Sequence, residues 1–124
     1  MKRLIFLSAL ALSACATVPA SAGPTASLGQ AATVGGATIR PIQVIEDSRC
    51  PSDVVCVWAG RLILLAEVDY RGGSESFRGN LTLGEPLRLG SESVTLVAAE
   101  PGTYAGKPTD PQAYRFTFTY NRAA

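Results

Sequence analysis

The side chains best equipped for chemistry are gathered in one run, Glu46-Asp47-Ser48-Arg49-Cys50-Pro51-Ser52-Asp53-Val54-Val55-Cys56-Val57-Trp58-Ala59-Gly60. A carboxylate pair such as Glu46 with Asp53 could share acid and base roles in hydrolysis of a polysaccharide. The chain has no histidine, so Ser/His/Asp, Cys/His and His-Glu-x-x-His arrangements cannot be built. Acids flanking a turn are more often solvated or capping, so no catalytic residue is assigned and the chain is read as a non-enzyme. A metal would have to be a hard, oxygen-loving ion; neither a metal site nor a cofactor is expected. Lys107 lacks an obvious partner, and the glycosylation-like Asn80-Leu81-Thr82, on a strand pattern, is read as chance. The glycine pairs sit in hairpin patterns and do not open helices, which excludes phosphate cradles.

Two accounts of the run stand side by side. In the structural one, Asp47 and Ser48 cap turns with side-chain oxygens and Pro51 stiffens the loop. Arg49 pairs with Asp47 or Asp53, Trp58 anchors the core with its indole N–H seeking one partner, and Gly60 permits a close backbone approach. In the functional one, a rigid loop at one end of a β scaffold displays its side chains to a partner. The candidate binding residues are then Asp47, Arg49, Asp53 and Trp58.

Asp47-Ser48-Arg49-Cys50-Pro51, Val54, Cys56 and Val57-Trp58-Ala59-Gly60 also resemble the D-S-R-C-P-x-x-V-x-C-x-W-A-G signature of small bacterial exported proteins and lipoproteins. The likeness extends weakly from about Leu28 to Tyr120 through the strand pattern and the Pro-rich segment before Tyr114. It implies a shared domain with a disulfide loop and brings no established activity.

The amino terminus points to the same compartment. Met1-Lys2-Arg3 is a short cationic region and Leu4 to Leu12 an apolar run broken only by Ser8, the charge and length order of a secretory leader. The run is shorter than the roughly 20 apolar residues a membrane span needs. Leu12-Ser13-Ala14-Cys15 resembles a bacterial lipobox; the resemblance implies a leader over residues 1–14, cut before Cys15, whose thiol and amine carry acyl chains such as palmitate. Two or more chains anchor stably where one binds only marginally. An ordinary leader cut near Ala20 or Ala22 is the alternative. Three cysteines in an exported chain leave one over; if Cys15 carries lipid, Cys50 and Cys56 remain as one pair, outside the cytosol where disulfides persist. Ala16, where an Asp would retain an enterobacterial lipoprotein at the inner membrane, favours the outer membrane facing the periplasm.

The elements that must hold the run in place are strands. Residues 15–26 read as the lipidated Cys and a flexible tether, rich in Ala, Thr, Ser, Pro and Gly, and residues 27–124 as one domain. From Leu28 onward the apolar period is two. Leu28, Gln30, Ala32 and Val34 share one strand face, and Gly35-Gly36 turns the chain. Ala37 to Ile45 follows, with a bulge or edge expected at Pro41. Leu62 to Tyr70 has a first half that looks buried on both faces and should be central. Arg71-Gly72-Gly73-Ser74 is a hairpin turn, after which Phe77, Gly79, Leu81 and Leu83 face inward. Leu87/Leu89, then Val94/Leu96/Ala98, then Tyr114/Phe116/Phe118/Tyr120 mark three more strands, with Pro101 to Pro111 as a surface loop.

About seven short strands without an amphipathic helix predict an all-β, single antiparallel β-sandwich or a small open barrel. Lys2 and Arg3 leave with the leader, so eleven cationic side chains become nine against ten acidic ones, and no basic stripe suggests nucleic acid. The sequence therefore predicts a membrane-anchored envelope module that binds an envelope protein or cell-wall partner, inhibitor-like in character. The rivals are a carboxylate-dependent hydrolase of envelope polysaccharide and a purely structural lipoprotein. An exposed apolar patch near the loop would favour partner binding, and a deep cleft with two inward carboxylates the enzyme.

Overall fold

The computed structural model describes residues 23–122; the leader, Cys15 and the first part of the tether lie outside the described residues. Eight strands follow in chain order: β1 Thr25–Ala26, β2 Ala32–Val34, β3 Ala37–Asp47, β4 Leu62–Tyr70, β5 Glu75–Thr82, β6 Leu87–Leu89, β7 Glu92–Glu100 and β8 Arg115–Arg122. They form two four-stranded antiparallel sheets, ordered β2-β3-β4-β5 and β1-β8-β7-β6, stacked as an open β-sandwich.

Period-two alternation places the core. Leu62, Leu64, Ala66 and Val68 of β4 turn inward with Ile39 of β3 and Leu81 of β5. They meet Val94 and Leu96 of β7 and Phe116 and Phe118 of β8, all essentially without solvent contact. Full burial of one such side chain contributes about 1.5–3 kcal/mol. β4 is central, as the sequence predicts, but its outward Ile63 and Leu65 are only half-buried, so the expectation of burial on both faces fails there.

Other departures have local causes. The expected Leu28–Val34 strand is shortened to Ala32–Val34, because Ser27 to Gln30 form a turn in which Gln30 N–H donates to the Ser27 carbonyl and Gly29 takes φ +83°. The residues read as the end of the tether, Thr25 and Ala26, instead pair with Thr117 and Phe116, and Ala26 is buried. The bulge expected at Pro41 is present, as the β3–β4 register shifts between Pro41 and Gln43. The same pair shifts again between Val44 and Glu46, and a third irregularity, between Leu96 and Ala98, changes the phase of β7 so that Ala99, not Ala98, lies opposite buried Phe116.

Each pole of the sandwich is closed by charge. At the pole holding the turns after β2, β4 and β6, Glu92, 5% exposed, lies 3.7 Å from Arg71 and 3.5 Å from Arg122. Gly23 sits toward this pole: its carbonyl accepts from the N–H of Thr33, which pairs with Thr38 near the start of β3. From Thr38 to Asp47 β3 runs opposite Asp69 to Leu62 of β4, seven steps or about 23 Å at the usual rise, and the Cys50–Cys56 loop begins at the opposite pole.

Candidate functional site

At the far end of β3 the chain leaves the sheet through Asp47-Ser48-Arg49, and three side chains fix its exit. Arg49 donates from Nε to Asp47 Oδ1 at 2.8 Å and from Nη2 to Oδ2 at 2.9 Å, a two-pronged ion pair. The same guanidinium reaches the other sheet, donating to the carbonyls of Ala99 at 2.8 Å and Pro101 at 3.0 Å. The Tyr114 hydroxyl donates to Asp47 Oδ2 at 2.6 Å, and its ring stacks on Phe116. Asp47 and Arg49 side chains are 10% and 16% exposed, so they face one another more than solvent. Burial alone would raise the Asp47 pKa, but the hydrogen bonds from Arg49 and Tyr114 outweigh it and hold the carboxyl below its ordinary range. Hydrogen bonding to Asp47 raises the Arg49 pKa. Burial, and then the bond to Asp47, raises that of Tyr114.

The loop base is held just as closely. Ser48 N–H donates to the Arg61 carbonyl at 2.8 Å and Arg61 N–H to Ser48 Oγ at 3.0 Å. A Cβ on Gly60 would overlap the Ser48 carbonyl oxygen, so the close approach expected of this glycine is a requirement of the fold. Cys50 and Cys56 form the disulfide, Cα atoms 5.9 Å apart.

The Pro-rich segment joins this loop. Ser52 N–H donates to the Thr103 carbonyl at 2.7 Å, Thr103 Oγ1 to the Arg49 carbonyl at 3.1 Å, and Ala105 N–H to Asp53 Oδ1 at 2.9 Å. Tyr104 and Lys107 form a β-bridge at its tip, and Asp110 caps the short 3₁₀ turn Pro111–Ala113 that leads into Tyr114. The two loops thus make one composite surface, with a depression of about 290 Å³ between them lined by Arg49, Thr103, Lys107, Thr109 and Tyr114.

Trp58 departs most from the sequence reading. Expected in the core, it is 80% exposed, beside Val57 at 94%, Val55 at 100% and Val54 at 44%. Phe116, Phe118 and the β4 leucines occupy the interior, while Trp58 lies in the exposed loop between β3 and β4. Tyr104, half-exposed, adds an aromatic on the neighbouring loop.

Of the four candidate binding residues, Asp47 and Arg49 are therefore framework, Asp53 ties the loops together from the surface, and Trp58 stands on the crest. The carboxylates named for acid–base work do not face each other: Glu46 is paired with Arg61, and Asp53 accepts from Ala105. Among the described residues, no group of three His, Cys, Asp or Glu side chains is placed to hold a metal ion. Reasoning from the sequence missed Tyr114 as the partner of Asp47 and the loop–loop pairing altogether. In comparisons with known proteins, no family model, curated protein or solved structure matches this chain.

Proposed function

We propose that the protein is a lipid-anchored module of the bacterial cell envelope, held through Cys15 at the outer membrane and facing the periplasm. It binds an envelope protein or cell-wall partner, in the manner of an inhibitor, and does no catalysis of its own. The observation that carries this reading is the crest Val54, Val55, Val57 and Trp58, apolar and exposed on a loop whose base an ion pair, a disulfide and a second loop fasten. Apolar side chains clustered in water favour association, a tryptophan is the side chain most often dominant in an interface, and a loop ordered before binding loses less entropy when it docks. On this reading the Asp47 to Pro51 half of the run supplies the frame and Val54 to Trp58 the contact.

The test is capture from envelope extract by wild type and by a Val57→Ser/Trp58→Ala variant with Asp47, Arg49 and the disulfide intact. Recovery of a partner by wild type and its loss with the variant is expected. Equal recovery by both would place binding elsewhere.

A further inference from the structure

Beyond its apolar crest, the loop has a bare backbone. Val54 N–H still donates to the Pro51 carbonyl at 3.3 Å, and the loop is next tied at Arg61. Among the described residues, no hydrogen bond is made by the backbone of Val55, Cys56, Val57, Trp58 or Ala59, and none of these residues takes a positive φ. Among the described residues these five successive peptide units are therefore left without an intramolecular partner, on the exposed stretch that carries Val55, Val57 and Trp58.

We infer that this segment enters the peptide-accepting cleft of a folded protein, its backbone hydrogen bonding to the cleft and Trp58 filling an apolar pocket there. The inference rests on the binding-module reading and names the class of partner. Unpaired main chain together with a few side-chain anchors gives a peptide-accepting cleft both affinity and specificity, and the chain bends at Val57 and Trp58, which sets these exposed side chains at the turn of the segment.

The alternative occupant of an apolar, tryptophan-bearing loop is a lipid surface, and two features argue against it. Backbone groups without partners are penalised in hydrocarbon, where no water can satisfy them. From Val54 to Gly60 there is no cationic side chain to meet lipid phosphates, and the flanking Arg61 is already paired with Glu46.

Trp58 is the chain's one tryptophan, so its fluorescence reports the crest alone. The lipidated protein, carrying a photo-crosslinking benzoylphenylalanine at Val57, is irradiated in its native envelope and the adducts are mapped by mass spectrometry. In parallel, unlabelled protein is titrated with vesicles of phosphatidylethanolamine and phosphatidylglycerol. The inference expects an adduct on residues lining a cleft of one folded protein, at least about tenfold less of it when Trp58→Ala is added, and no blue shift of Trp58 emission with vesicles. An adduct on lipid or a vesicle-induced blue shift overturns the cleft while leaving a binding module. So does an adduct on a flat protein surface, or one insensitive to Trp58→Ala. Absence of any adduct at Val57, with adducts from the same probe at Thr119 on the other sheet, overturns both readings.

Discussion

The Tyr114 hydroxyl donates to Asp47 Oδ2 at 2.6 Å across 67 residues of sequence, joining the last strand of one sheet to the end of the longest strand of the other. Because the same carboxylate receives both prongs of Arg49, this contact decides where the Cys50–Cys56 loop leaves the sandwich. Replacing Tyr114 with Phe keeps the stack on Phe116 and removes only the donor. We expect stability to fall by about 1.5–3 kcal/mol, the range for a hydrogen bond to a charged group, read as a lower urea midpoint with an unchanged slope. Arg49→Met should cost about 3–5 kcal/mol, because it strands a largely buried carboxylate.

Asp47 also sets a pH dependence. Its native pKa lies below its unfolded value because the bonds from Arg49 and Tyr114 outweigh the opposing effect of burial. The stabilisation is therefore fully present above about pH 4, near the ordinary range of an aspartate. It is lost as pH falls through the lowered native value. The stability difference between wild type and Asp47→Asn should be largest at neutral pH and shrink below about pH 4; a difference independent of pH would remove the ionic role assigned to Asp47.

Gly60→Ala should be among the most damaging single-methyl changes in the chain, since its Cβ would occupy the space of the Ser48 carbonyl oxygen. Overpacking commonly costs about 1–3 kcal/mol and at times more, and backbone cannot yield here as a side-chain tip would. Gly23→Ala, whose Cβ would meet nothing within 4 Å, is the matched control. Equal melting temperatures for the two variants would show that the loop base is looser than its geometry.

How much of this was legible beforehand follows from the range of each interaction. Alternation along Leu62–Tyr70 and Tyr114–Tyr120 revealed the sheets because burial repeats every second residue, and Pro41 announced its bulge because proline lacks an N–H. The close approach at Gly60 was readable from local chemistry, and so was an ion pair of Arg49 within the loop, but the choice of Asp47 over Asp53 came only with the structure. The grip of Thr103 on Arg49 and of Asp53 on Ala105 was not, since these contacts join positions 54 and 52 residues apart with no local signature. Trp58 misled for a related reason: its type predicts burial, but only the whole fold shows that the core is full without it.

The disulfide should shape the crest more than it supports the fold. A loop this short gives about 2 kcal/mol by chain entropy, while the core and the Asp47–Arg49–Tyr114 contacts lie outside it. A Cys50→Ser/Cys56→Ser variant is expected to keep its β-sheet circular dichroism and lose that increment. Its Trp58 fluorescence anisotropy should also fall as the crest loosens. Collapse of the sheet signal would give the bridge a larger part in folding.

Hydrogen exchange at the amides of residues 55–59 is the most direct test of the crest as the binding surface, measured on the isolated protein and on the same protein in native envelope fragments. With no intramolecular partners among the described residues, these amides should exchange at nearly free-chain rates in isolation and become protected in the envelope, while those of β4 stay protected in both. Unchanged exchange at 55–59 between the two preparations would contradict a role for the crest in binding.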